Sequence, residues 1–126
     1  MAKNPFLGSL LGWVFTLLAA SVFVLSASMK LMANPKMLPM MAQLGWSASV
    51  LTPLAILELT CVILYLLPPV AVLGGIVLTG FLGGAIATHV RVGQPVYLHV
   101  VIGLLIWGGL YLREPRLREL IPARRK

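Results

Sequence analysis

"VAVLGGIVLTGFLGGAIATHVRVGQP", residues 70–95, runs from Val70 to Thr88 without a charge and then meets His89 and Arg91. A helix rises about 1.5 Å per residue, so about 20 apolar residues cross the roughly 30 Å hydrocarbon core of a bilayer. The stretch therefore predicts a membrane span over about 70–90. It is too long and too little alternating for a barrel strand, the other backbone form that lipid allows. Its end raises a second question, whether His89 and Arg91 only mark a membrane boundary or form one wall of a site.

Three further runs lie around it. One falls at about 8–31, one at about 49–67 with Glu58 inside it, and one at about 96–112 with Tyr97, Trp107 and Tyr111 near its ends. Aromatic residues at such positions suit the membrane–water interface. The composition agrees: 60% of the 126 residues are hydrophobic and 10% are charged, against about 25% charged in soluble domains. Mean hydropathy is +0.98. A chain with so little polar surface belongs to the membrane class. Lys3 and the small residues "SAS" at 26–28 loosely fit a signal peptide, but the first run far exceeds the usual 7–15 residues of its apolar region. A retained span is expected.

Between the first two spans lies "ANPKMLPMMAQLGWSAS", residues 33–49. Pro35 and Pro39 prevent a long straight helix. Met37, Met40, Met41 and Leu44 recur at i, i+3, i+4 and i+7, which predicts a short amphipathic helix at the interface. Pro68 and Pro69 force a tight uncharged turn between spans two and three. The expected fold is thus all-α, an integral membrane four-helix bundle with a short interfacial helix between spans 1 and 2, in a single domain over 1–126.

Net charge is +7, and Arg113, Arg116, Arg118, Arg124, Arg125 and Lys126 supply six of the ten positive residues directly after the last span. A basic tail over 113–126 next to a span reads as a positive-inside signal that touches anionic lipid, not as a nucleic-acid site. Four spans place both termini on one side, and the tail marks that side as cytoplasmic. The segments around Lys36 and "RVGQP" then face outward.

The third span carries two rows of small residues at i+4 steps, Gly75/Thr79/Gly83/Ala87 and Gly80/Gly84/Thr88. Small faces let backbones approach in lipid, where the hydrophobic effect drives no association. A packing seam is the expected use and a glycine-lined ligand groove the alternative. The GxxxG pair does not say whether such a seam lies inside one chain or between copies in a homo-oligomer.

Glu58 is the strongest chemical signal, because an ionisable residue within a span is costly and marks a candidate site. With Thr52 as cap and Pro53 in the first turn, it would lie about 8 Å in. Topology brings the outward ends of spans one and three near it. Lys30, Glu58 and His89, with Arg91 at the rim, therefore form the candidate ligand-binding set, and Ser26, Ser28, Thr88 and Gln94 are available as partners. Two uses stay open, a structural ion pair with Lys30 or Arg91 and a lined pocket open to the outer side or the bilayer. His89 suits a proton relay or a hydrogen bond to a quinone carbonyl; His99 is expected at the interface. Cys61 is the only cysteine, so an intramolecular disulfide and CxxC chemistry are excluded. The methionines near the outer side suit gap filling and lack the tight spacing of a soft-metal site, so no metal is expected.

"SASMKL" at 26–31, "ILEL" at 56–59, "GGAIATHVRVGQP" at 83–95 and "WGGLYLREPRLREL" at 107–120 together resemble the DoxX-like family of small bacterial four-span membrane proteins. In that resemblance Lys30, Glu58 and His89 fall on the family's polar motif positions and the Arg91 segment follows. The family's name comes from a subunit associated with thiosulfate:quinone oxidoreductase, and other members are linked to redox or stress-related membrane complexes. The resemblance implies a multi-pass protein of the bacterial inner membrane, quinone- or lipid-facing, serving as an accessory subunit beside a redox partner. A bound quinone is the one cofactor it suggests, since the chain carries no flavin, cytochrome or iron–sulfur motif; it leaves an enzymatic activity undecided. The alternative is a non-catalytic scaffold or small hydrophobic-ligand-binding protein with a purely structural polar cluster.

Overall fold

The computed structural model describes residues 5–32 and 35–124; Arg125 and Lys126 of the basic tail, and Lys3, lie outside the described residues. Within them the chain is helical, with no strand: α1 (Pro5–Leu31), α2 (Met37–Gln43), α3 (Leu51–Leu66), α4 (Ala71–Arg91), α5 (Tyr97–Arg113) and α6 (Pro115–Arg118). Short 3-10 turns at Ala48–Val50 and Pro68–Val70 lead into α3 and α4. α1, α3 and α4 are long and apolar enough to cross a membrane, and α5 is a shorter apolar helix of 17 residues. That length still falls at the lower edge of the spanning range.

The apolar residues explain why this is a membrane bundle. Each long helix buries only one face, so Leu17, Leu25, Ile56, Ile63, Leu73, Ile76 and Leu104 stand exposed on the outside. In water such a continuous apolar coat would be an interaction or aggregation surface; in lipid it is the solvated face. The molecule is an all-α membrane helical bundle.

Breaks in the bundle follow the turn residues. α2 starts two residues before Pro39, which occupies its first turn, where a missing N–H is tolerated. The helix ends before Gly45, whose φ of +90° needs a residue without a Cβ. Gly93, at φ +77°, does the same after α4, and the Gln94 N–H caps the His89 carbonyl at 2.9 Å. One expectation is corrected here. Thr52 is not the cap of α3: the helix already begins at Leu51, behind the 3-10 turn. The consecutive Ala48–Leu66 stretch puts Glu58 near its middle, about 15 Å along.

Packing is tightest where side chains are smallest. α1 lies against α5, where a Cβ at Gly12 would come within 3.0 Å of the Gly109 carbonyl oxygen, and one at Gly109 within 2.6 Å of Thr16 Oγ1. The start of α1 and the end of α5 are therefore neighbours. α3 and α4 meet where Gly74 sits on the backbone of Leu64 and Tyr65. Between these close approaches lies the core of Ala19, Phe23, Val62, Leu78, Leu82, Ile102 and Ile106. Trp107 Nε1 donates to Thr79 Oγ1 at 2.7 Å, tying α5 to α4.

The fully buried Tyr65 closes this end of the bundle. Its hydroxyl donates to the Ile106 carbonyl at 2.7 Å. Arg113, expected as the first residue of the basic tail, turns inward. It donates to the Tyr65 carbonyl at 2.7 Å and lies 4.4 Å above the Trp13 ring and 4.9 Å above that of Tyr65. A guanidinium here serves a carbonyl at the C-terminal end of α3, where helix carbonyls lack intrahelical donors. Arg113→Ala should lower stability by about 2 kcal/mol through the lost bond and ring contacts. Thermal unfolding in mild detergent checks this; an unchanged midpoint would mean that the arginine is only a surface charge.

Candidate functional site

Helix direction explains how Lys30 reaches Glu58. Side chains lean toward the N-terminus of their own helix. Lys30, one residue before the end of α1, therefore leans back into the bundle, while Glu58 on antiparallel α3 leans the opposite way. They meet with Nζ 3.0 Å from Oε1. Lys30 also donates to Ser26 Oγ at 2.7 Å, one helical turn back, and the Ser26 hydroxyl donates to the same Glu58 oxygen at 3.4 Å. Glu58 is 2% exposed and Lys30 is buried as well. Two opposite charges removed from water together, with a hydroxyl bridging them, offset part of a desolvation cost that either alone would bear in full. Lys30 Nζ also stands 5.9 Å from the centroid of the Phe81 ring on α4.

His89 does not join this ion pair. Its Nδ1 is 2.7 Å from the Ala85 carbonyl oxygen, one turn back on α4. A carbonyl only accepts, so Nδ1 carries a proton; in the neutral form of the ring Nε2 is then an acceptor. The ring lies 4.4 Å, centroid to centroid, from that of His99 on α5. His99 Nδ1 is buried and has no hydrogen-bond partner among the described residues. His99, expected at the interface, is thus a site residue that sequence reasoning missed. The available signal was the short link of residues 92–96, which folds the first turn of α5 back against the last turn of α4.

Arg91 takes a third position. It donates to the Leu44 carbonyl, just after α2, and its guanidinium occupies the space beside Gly45, where a Cβ would come within 2.8 Å. Arg91 does not line the cavity described next; it ties the end of α4 to the segment that covers it. Ser28 and Thr88 return their hydroxyls to carbonyls of their own helices, Val24 and Gly84.

Between the ion pair and the histidines lies a cavity of about 540 Å³. Lys30, Glu58 and His89 all line it, with Ser26 and His99. α2 supplies its cover: Met37 and Met41 are buried in a small cluster with Leu44 and Leu51, and Met37, Met40 and Met41 face the cavity. Phe23, Phe81 and Trp46 contribute flat apolar surface. Gly80 and Gly84 form part of the wall, and a Cβ at either would meet nothing within 4 Å. Their row is therefore the glycine-lined groove, not a seam within the chain; helix contact is made by Gly74, Gly75, Gly12 and Gly109. The volume falls within the roughly 300–1,000 Å³ of small-molecule sites, which likewise combine mostly apolar walls with a few polar groups. Among the described residues no group of three or more His, Cys, Asp or Glu side chains is placed to hold a metal ion.

A model of the DoxX-like family matches residues 14–109, from the first third of α1 through most of α5. The chain belongs to the DoxX-like family. Comparison with curated proteins and with solved structures gave no match. The matched segment of this DoxX-like chain contains the ion pair, both histidines and the whole cavity wall. A quinone-type head is flat and uncharged, and its oxygen atoms would accept from the Lys30 ammonium on this wall.

Proposed function

We propose that this DoxX-like protein is a multi-pass protein of the bacterial inner membrane that holds the polar head of a quinone-like, lipid-soluble molecule, as an accessory subunit beside a redox partner. The observation that carries this reading is the buried His99 Nδ1, unpartnered on the wall of a cavity that also presents Lys30, Glu58 and His89. Buried polar atoms without partners are rare in folded proteins, and a place on the wall of a ligand site is one reason for them. The inside orientation of both termini is supported by Arg113, Arg116, Arg118 and Arg124 at the end of the bundle where α1 begins.

A second reading, a scaffold with a structural polar cluster, draws on the closed set of bonds among Lys30, Glu58 and Ser26. The two are separated by filling the cavity without touching a polar group. Gly84 lines the cavity; Gly83, its neighbour on the same helix, does not, and neither would meet a contact on gaining a Cβ. The test is mass spectrometry of organic extracts from protein purified in mild detergent. Wild type and Gly83→Leu should carry the same isoprenoid-type molecule near one per chain, and Gly84→Leu should lose it. Equal loading of both variants would point to the scaffold.

A further inference from the structure

The hydrogen-bond polarity of the site goes beyond the choice of a lipid-soluble ligand to the form of its head. We propose that the site selects a phenolic, quinol-type head, which donates a hydroxyl proton, over the corresponding quinone. This rests on the reading of the cavity as a ligand site and refines it.

The argument starts from what each wall can offer. On α4, His89 Nδ1 is committed to the Ala85 carbonyl. In the neutral form of that ring the other nitrogen, Nε2, carries a lone pair and no proton. A quinone has carbonyl oxygens alone and gives such a nitrogen nothing to accept; a quinol hydroxyl does. On the opposite wall Lys30 has three N–H donors. Two point at Ser26 Oγ and Glu58 Oε1, which leaves a third for an oxygen of the head. One hydroxyl both donates and accepts, so a head with two of them satisfies both walls. Charge excludes the common alternatives. An anionic head, carboxylate or phosphate, would face the Glu58 carboxylate, and a cationic head would face Lys30, at a pair that already neutralises itself. Shape adds the aromatic preference: Phe23, Phe81, Trp46 and the two imidazoles line the same space, and flat rings stack on such surfaces.

The test measures binding of three probes with the same decyl tail to the protein in nanodiscs under anaerobic conditions: a hydroquinone, its dimethyl ether and the matching benzoquinone. Quenching of tryptophan fluorescence reports occupancy, with Trp46→Phe identifying the signal from the cavity. The hydroquinone should bind about tenfold tighter than either other probe, the factor expected when a buried acceptor is left without its donor. In His89→Phe, which keeps a flat ring but no acceptor, the three probes should converge to within about twofold. Benzoquinone binding as tightly as hydroquinone, or a preference that survives His89→Phe, would overturn the assignment while leaving a ligand site in place. Binding of none of the three would remove both the assignment and the ligand site on which it rests.

Discussion

Lys30→Met is expected to destabilise the bundle by about 3–5 kcal/mol, the range found when one partner of a buried ion pair is removed. The position of Glu58 explains the size. It lies near the middle of the Ala48–Leu66 stretch, and its short side chain is 2% exposed. Without Lys30 the carboxylate keeps only the 3.4 Å hydroxyl of Ser26. The reverse change, Glu58→Met, should cost less. Lys30 is one residue from the end of α1, and its long stem can carry the ammonium outward to the interface. Replacing both, Lys30→Met with Glu58→Met, should recover stability to within about 1 kcal/mol of wild type, because apolar replacement of a whole buried pair is often neutral or stabilising. Denaturation in mixed detergent, run on all four proteins, gives the cycle. A double variant whose loss equals the sum of the two single losses would show that the two side chains do not act as a pair.

Gly74→Ala should be the most damaging single methyl group in the chain, at about 3 kcal/mol or more, the upper range for overpacking. The added Cβ would overlap the backbone nitrogen and Cα of Tyr65 and the carbonyl carbon of Leu64. A side chain in that position could rotate away; a helix backbone cannot. α3 and α4 would have to separate just after the Pro68–Val70 turn that joins them. The same separation would disturb Tyr65, whose hydroxyl and carbonyl are held by Ile106 and Arg113. Gly83→Ala, nine residues further along in open space, should be neutral or raise the midpoint slightly, since alanine favours a helix by about 1 kcal/mol over glycine. Thermal midpoints in one detergent decide the matter, and equal midpoints for the two variants would contradict the close approach.

These two cases show how far the residues could be read as a sequence. The helices were legible because lipid imposes a single rule on length and polarity. The short helix at Met37–Gln43 was legible because methionines and Leu44 repeat with a helical period. Glu58 drew notice as a charge within an apolar run, and Lys30 as the cation that topology places near it. The rows of small residues were legible in part, since Gly75 of the first row packs on Leu110 as a seam residue would. Gly80 and Gly84 have the spacing of a helix contact, yet they face the cavity, while Gly74 and Gly75 make the close approaches. Spacing gives the rows of small residues on a helix, but the rotation of α4 against its neighbours decides which row meets backbone. Arg113 was hidden for a similar reason. Its sequence neighbours are those of a tail, and only the arrival of Tyr65 and Trp13 from other helices gives it ring and carbonyl partners. For His99 the one signal is the short 92–96 link, which brings the imidazole of His89 beside it.

The central claim is that Lys30, Glu58, His89 and His99 line a site that holds a molecule and do not merely brace the helices. The double variant Lys30→Met/Glu58→Met tests it most directly, because it removes the polar anchor and should keep the fold. Wild type and double variant, purified side by side in mild detergent, would be compared by thermal midpoint and by mass spectrometry of the extracted lipid. The expected result is a similar midpoint with an isoprenoid-type molecule near one per chain in wild type and absent from the variant. A wild-type protein without such a molecule, or a variant that retains it in full, would contradict the claim.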